Sequence, residues 1–165
     1  MIYTYGKTLL TPGQRIGYIA MPPSMPDREA LRGALMVSQT ALGWTFPNAI
    51  MQYALPRLEQ FTIDIDRLQR RRDRLVDALT GMGYSVNRPE GTFYLWVRSP
   101  IGDEAAFAQQ LTGHDIFVLP GYMFETPGFF RICLTANDSM IERSLPGFAA
   151  AIKQVQIEQP AFIST

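Results

Sequence analysis

The sequence predicts a mixed α/β fold in which two lobes are joined by a long helix. Three observations carry this expectation. Two short apolar segments near the start are separated by Thr11-Pro12-Gly13, which breaks any helix and turns the chain. Leu58, Phe61, Ile65, Leu68, Leu75 and Leu79 recur at spacings of three, four and seven, the period of one helix face. Beyond Gly81, four short apolar segments alternate with Gly/Pro turns and two helical patterns, the order of an α+β unit.

Residues 2–5 read as the end of a buried strand, 6–14 as a loop and 16–21 as a second strand, closed by Pro22, Pro23 and Pro26. Asp27 is the expected N-cap of a helix over 28–40, because its carboxylate can accept from the free N–H groups of the first turn. After a break at 43–47, the apolar stripe predicts a single helix over 49–81. Residues 84–86, 93–97, 117–119 and 129–134 read as strands, with a short helix begun at Asp103. The last helix buries Ile141, Leu145, Phe148, Ile152 and Val155; Ser139 and Glu142 form its capping box and Pro146 kinks or restarts it. The resulting segments are 1–48, the helix 49–81, a compact mixed unit 82–157 and a loose tail 158–165.

A chain of 165 residues can bury roughly 70% of its unfolded surface, and 47% hydrophobic against 18% charged residues excludes disorder as the main state. With 15 basic and 15 acidic residues the net charge gives no attraction to nucleic acid or to an anionic membrane. Cys133 is the single cysteine and His114 the single histidine. They exclude an intrachain disulfide and a Cys-rich metal site, are read as structural, and point to a reducing, cytoplasmic setting. The start of the chain has neither the basic region nor the apolar stretch of a signal peptide.

Gly6-Lys7-Thr8 invites a phosphate-loop reading, but that motif needs a glycine where Met1 stands and a helix where Pro12-Gly13 forbids a long one. A lysine on a loop after a buried strand, with Arg15 eight residues on, has a different chemistry. Desolvated and near a cation, such an amine loses its proton and attacks a carbonyl. Arg15 and the Thr4 hydroxyl supply donors for a phosphate. Arg131, between Phe130 and Ile132 in an apolar strand, points to the opposite face, to take either a structural carboxylate or a ligand. Arg67, Arg70, Arg71, Arg72 and Arg74 interleave with Asp64, Asp66, Asp73 and Asp77, a solvated face with i,i+4 ion pairs rather than a nucleic-acid helix.

Thr4, Lys7 and Gly13-Gln14-Arg15-Ile16-Gly17 resemble the lysine signature of class I/II aminotransferases, the fold-type I enzymes that use pyridoxal 5′-phosphate. Gly91-Thr92-Phe93-Tyr94-Leu95-Trp96-Val97 resembles the family's aromatic strand, and Leu119-Pro120-Gly121 the turn before its carboxylate-binding strand. Phe129-Phe130-Arg131-Ile132-Cys133-Leu134, followed by Asn137, resembles that strand itself. The resemblance runs from residue 1 to about 155 and covers only the C-terminal part of a family member. It implies a remnant of the cofactor-binding large domain, a long connecting helix and a small domain.

By this resemblance Lys7 forms the Schiff base with pyridoxal 5′-phosphate and shuttles a proton, Thr4 and Arg15 grip its phosphate, and Arg131 binds the substrate α-carboxylate. The implied reaction is amino transfer between an α-amino acid and a 2-oxo acid in a homodimer, with this fragment inactive by itself. Two alternatives stay open: a non-catalytic module that self-associates, and a lyase, decarboxylase or oxidase of the same fold. The segment Trp44-Thr45-Phe46-Pro47-Asn48 lies where the family's loop reaches the neighbouring subunit's cofactor, and reads equally as a turn with two core aromatics.

Overall fold

The computed structural model describes residues 1–44 and 46–158; Thr45 and the tail expected to be loose from 159 lie outside the described residues. The chain divides into two units, Met1–Ile63 and a unit from Asp64 onward, so the division falls within the segment expected to be one helix.

In the first unit, β1 (Ile2–Thr4) pairs antiparallel with β2 (Gly17–Ile19) in the register Ile2↔Ile19, Tyr3↔Tyr18, Thr4↔Gly17. The expected buried strand is instead a ribbon with Ile2 82% exposed, since two strands alone have no second layer to cover them. The expected loop starts with a one-turn helix, α1 (Tyr5–Thr8), capped by Thr4, whose hydroxyl accepts from the Gly6 N–H at 3.4 Å. Helices α2 (Arg28–Ala41) and α3 (Ala49–Leu58) follow, and neither buries a residue. Asp27 stands at the start of α2 but takes a left-handed conformation, φ 52°, and its side chain makes no capping bond, so the expected cap is positional only. Trp44 and Phe46 are exposed, which removes the reading of that turn as two core aromatics.

The second unit opens with α4 (Ile65–Gly81). One continuous helix over 49–81 is therefore corrected to two. Asp64 accepts from the Arg67 N–H at 2.8 Å and starts a new helix, while Phe61 and Ile65, which continued the apolar spacing, are both exposed. Strands β3 (Tyr94–Arg98), β4 (Leu119–Pro120) and β5 (Phe129–Cys133) form an antiparallel sheet in the order β3-β5-β4. Residues 84–86, expected as a strand, contribute only a bridge between Val86 and Val97, and the segment expected at 117–119 pairs only at Leu119 and Pro120.

Helix α5 (Glu104–Thr112) begins where Asp103 accepts from the Ala105 and Ala106 N–H groups. Helix α6 (Asp138–Glu158) is capped by Asn137, which accepts from the Met140 N–H at 2.9 Å, rather than by the Ser139–Glu142 box; Glu142 is committed to Arg74. The helix runs through Pro146 without the expected restart. Leu145, Phe148, Ala151 and Ile152, buried around the proline, offset the loss of one N–H donor. The core is where these elements meet: Leu75 and Leu79 of α4, Leu95 and Val97 of β3, Phe130 of β5, Phe107 of α5 and Phe148 of α6 are at most 2% exposed. Burial alternates along β3 and β5, so the opposite sheet face carries Tyr94, Trp96, Phe129 and Arg131.

The basic run on α4 makes cross-element pairs in place of the expected i,i+4 pairs. Arg67 and Arg71 both donate to Asp138, at 2.8 and 2.5 Å, Arg74 is bidentate to Glu142 at 2.7 Å, and Arg88 pairs with Asp73 and Asp77. The Arg67, Arg71 and Arg74 contacts fasten α4 to the start of α6, and Arg72 pairs with its neighbour Asp73. Among the described residues no helix is long and apolar enough to cross a membrane, and none of the His, Cys, Asp and Glu side chains gather into a metal-binding group.

Candidate functional site

Lys7 sits on α1, directly after the ribbon, with Tyr5 and Gly6 buried beside it. Its own side chain is exposed, so the desolvation expected from the sequence is not met. Two features fix the turn that carries it. The Tyr5 N–H donates to the Ile16 carbonyl at 3.2 Å, and the Tyr5 hydroxyl donates to Glu59 at 2.5 Å. The hydrogen bond to Glu59, aided by burial, pushes the Tyr5 hydroxyl up to about 12. Tyr3 stacks on Tyr18 at 5.3 Å and meets Tyr5 edge-on at 5.0 Å, which stiffens the ribbon from its side-chain layer.

Thr4 and Arg15 come together around Gly6. A Cβ placed on Gly6 would lie 3.6 Å from Thr4 Oγ1 and 3.7 Å from Arg15 Nη1. The Thr4 hydroxyl accepts from the Gly6 N–H and donates to the Ile16 carbonyl, both at 3.4 Å, so the hydroxyl and this main-chain N–H already have long internal bonds. Arg15 Nη1 donates to the Pro12 carbonyl at 3.1 Å, which fixes the guanidinium while leaving further donors in its plane. An anion with several oxygens can meet the remaining Arg15 donors there, and the Thr4 hydroxyl once its long bond to the Ile16 carbonyl is exchanged.

Arg131 belongs to the second unit, on the sheet face turned away from the core and directly opposite Trp96. Its guanidinium carbon lies over the Tyr94 ring at 4.1 Å and over the Phe124 ring at 4.0 Å. Within this unit, among the described residues, no carboxylate pairs with it, so the alternative of a structural ion pair has no partner there. Sequence reasoning missed both rings. Tyr94 had a signal, since alternation with Leu95 and Val97 puts it on the outer face; Phe124 sits on a 3₁₀ turn, Gly121–Phe124, whose approach to Arg131 no local pattern encodes. Cys133 is exposed, with Sγ 2.9 Å from Thr135 Oγ1.

The family model of aminotransferase class I and II matches residues 1–146. The chain is 30% identical over 158 residues to an aspartate/prephenate aminotransferase of Thermus thermophilus, covering 88% of this chain and 39% of that protein. It is 31% identical over 155 residues to an LL-diaminopimelate aminotransferase of Dehalococcoides mccartyi, covering 89% of this chain and 38% of that one. Among solved structures, an amino transferase from Eubacterium rectale matches with a TM-score of 0.82 at 31% identity, over 93% of this chain and 39% of the other. An aspartate aminotransferase from Thermotoga maritima matches with a TM-score of 0.75 at 25% identity, over 92% and 39%. The chain thus spans about two fifths of the length of the curated relatives it matches.

Proposed function

Because the chain belongs to the class I and II aminotransferases, a family dependent on pyridoxal 5′-phosphate, we propose that it serves amino transfer between an α-amino acid and a 2-oxo acid as the C-terminal part of such an enzyme. The observation that carries this reading is the approach of Thr4 and Arg15 to Gly6, the residue before Lys7. The Arg15 donors beside the Thr4 hydroxyl suit a phosphate monoester, and an exposed amine follows immediately. When bound, the cofactor supplies a carbonyl for amines and an electron-withdrawing ring.

The residues of this chain then have distinct tasks. Thr4 and Arg15 hold the phosphate. Lys7 would hold the cofactor through its amine and would serve as the base that moves the proton at the substrate α carbon. Arg131 receives the substrate α-carboxylate through two parallel N–H donors. The working form is a homodimer. The exposed, unpaired thiol of Cys133 supports a reducing, cytoplasmic location.

The test is reduction with borohydride after adding pyridoxal 5′-phosphate, followed by mass spectrometry of the lysine-containing peptides. The expected result is an adduct concentrated on Lys7 and lost in Lys7→Ala. Equal, sparse labelling of Lys7 and Lys153 would overturn the assignment. A second reading, a non-catalytic module that self-associates, is supported by apolar side chains left in solvent on the first unit, among them Val37, Phe46 and Tyr53 at 69%, 93% and 89% exposure. The labelling and sedimentation together separate the two, since this reading requires an oligomer of the cofactor-free chain at micromolar concentration and no selective Lys7 adduct once pyridoxal 5′-phosphate is added.

A further inference from the structure

Arg131 is only half-buried, yet its guanidinium carbon is covered by two rings at nearly equal distance, Tyr94 at 4.1 Å and Phe124 at 4.0 Å. A ring face attracts the cation but takes none of its five N–H donors as a carboxylate would. Among the described residues no side-chain nitrogen of Arg131 makes a hydrogen bond and none is buried without a partner, so its donors reach solvent. The surroundings therefore hold the group in place and leave its hydrogen-bonding edge for something else.

Phe124 remains 37% exposed, and its ring is supported on one side. It packs edge-on against Trp96, with centroids 5.8 Å apart, and Trp96 lies directly across from Arg131 in the β3–β5 register. The 3₁₀ turn bearing Phe124 is closed by the Thr126 N–H on the Gly121 carbonyl at 3.0 Å and by the Thr126 hydroxyl on the Phe124 carbonyl at 3.0 Å. It is tied to α5 by the Tyr122 N–H, which donates to the buried Glu104 carboxylate at 3.2 Å.

We propose that Tyr94 and Phe124 are positioning residues for a carboxylate receptor at Arg131. The two rings fix the plane and place of the guanidinium before a carboxylate arrives, so that an organic acid meets a ready fork of donors. This rests on the reading of Arg131 as the carboxylate-binding residue. Preorganisation of this kind raises affinity by removing the ordering cost of a long side chain at the moment of binding.

The test uses the whole chain labelled with ¹⁵N on arginine, with the Arg131 Nε–Hε signal assigned through Arg131→Lys and 2-oxoglutarate as the probe. In the wild type, ring currents displace this signal upfield and 2-oxoglutarate shifts it further in a saturable way. Phe124→Leu and Tyr94→Leu lose the upfield displacement and weaken the dissociation constant by about three- to tenfold. Phe124→Tyr and Tyr94→Phe keep both properties, which a loss of folding would not allow; thermal midpoints are measured alongside. Loss of the displacement in both leucine variants with undiminished affinity for 2-oxoglutarate would overturn the positioning role while leaving Arg131 as the receptor. An upfield signal that 2-oxoglutarate never moves would instead overturn the reading of Arg131 itself, and the inference with it.

Discussion

The Tyr84 hydroxyl donates to the main-chain carbonyl of Phe148 at 2.8 Å, tying the turn after α4 to the middle of α6. Its ring meets Phe107, Phe130 and Phe148 at 6.1, 6.4 and 5.9 Å, so one side chain touches three separate elements, and burial raises its hydroxyl above the usual tyrosine range. Tyr84→Phe keeps the packing and removes one donor, and is expected to cost about 1 kcal/mol. Tyr84→Ala also opens a cavity and is expected to cost about 3–5 kcal/mol. Urea unfolding of both variants checks this; equal losses would mean that the hydrogen bond, not the ring, ties these elements together.

Asp138 sets an acid limit to stability. Hydrogen bonds from Arg67 and Arg71 hold its carboxyl at about 2, against 3.8 for a free aspartate. A folded value below the unfolded one favours the native state above pH 3.8 and gives up that contribution as pH falls toward about 2. Asp138→Asn is therefore expected to lower the thermal midpoint at neutral pH and to flatten its fall between about pH 4 and pH 2. Midpoints across that range measure it, and parallel curves for the two proteins would show that Asp138 contributes nothing to the acid limb.

What the sequence discloses about this fold depends on whether a pattern is local. Alternation at Leu95 and Val97, and at Phe130 and Ile132, identifies β3 and β5 because each strand buries one face. The break before α4 is hidden, because Phe61 and Ile65 keep helical spacing although both stand in solvent. Apolar spacing reports what a helix offers, not what is there to cover it. At the candidate site, Thr4 and Arg15 are legible from their spacing to Lys7, and the ribbon register explains their approach. Phe124 over Arg131 is not, since the turn that brings it there is set by Gly121 and by Glu104 of another helix.

Gly121 is where that turn is most exacting. A Cβ there would stand 1.9 Å from the Thr126 carbonyl oxygen and 2.7 Å from that of Phe129, both main-chain atoms that cannot rotate away. Gly121→Ala has to open the turn and is expected to cost about 1–3 kcal/mol while withdrawing Phe124 from Arg131. Gly102→Ala, with nothing within 4 Å, is the matched control and should fall within about 0.5 kcal/mol of wild type. Chemical unfolding gives the energies, and the Arg131 Nε–Hε shift reports the ring. An unchanged shift in Gly121→Ala would mean that Phe124 is held without this turn.

The ribbon makes the corresponding demand in the first unit. Gly17 pairs with Thr4, and a Cβ on it would come 2.3 Å from the Tyr3 carbonyl oxygen and 3.2 Å from Thr4 Cα. Gly17→Ala must force β1 away from β2, and since Thr4 ends one strand while Arg15 precedes the other, the two proposed phosphate ligands separate. The expected outcome is loss of selective Lys7 labelling by pyridoxal 5′-phosphate and borohydride. Gly13→Ala, with open space around it, should retain that selectivity. The Tyr84 hydrogen bond and ring contacts of the second unit provide an internal control for folding, read by near-ultraviolet circular dichroism. If Gly17→Ala labelled Lys7 as selectively as the wild type, the pairing of Thr4 with Arg15 would have no part in holding the phosphate, and the specificity would have to come from Lys7 and its immediate turn.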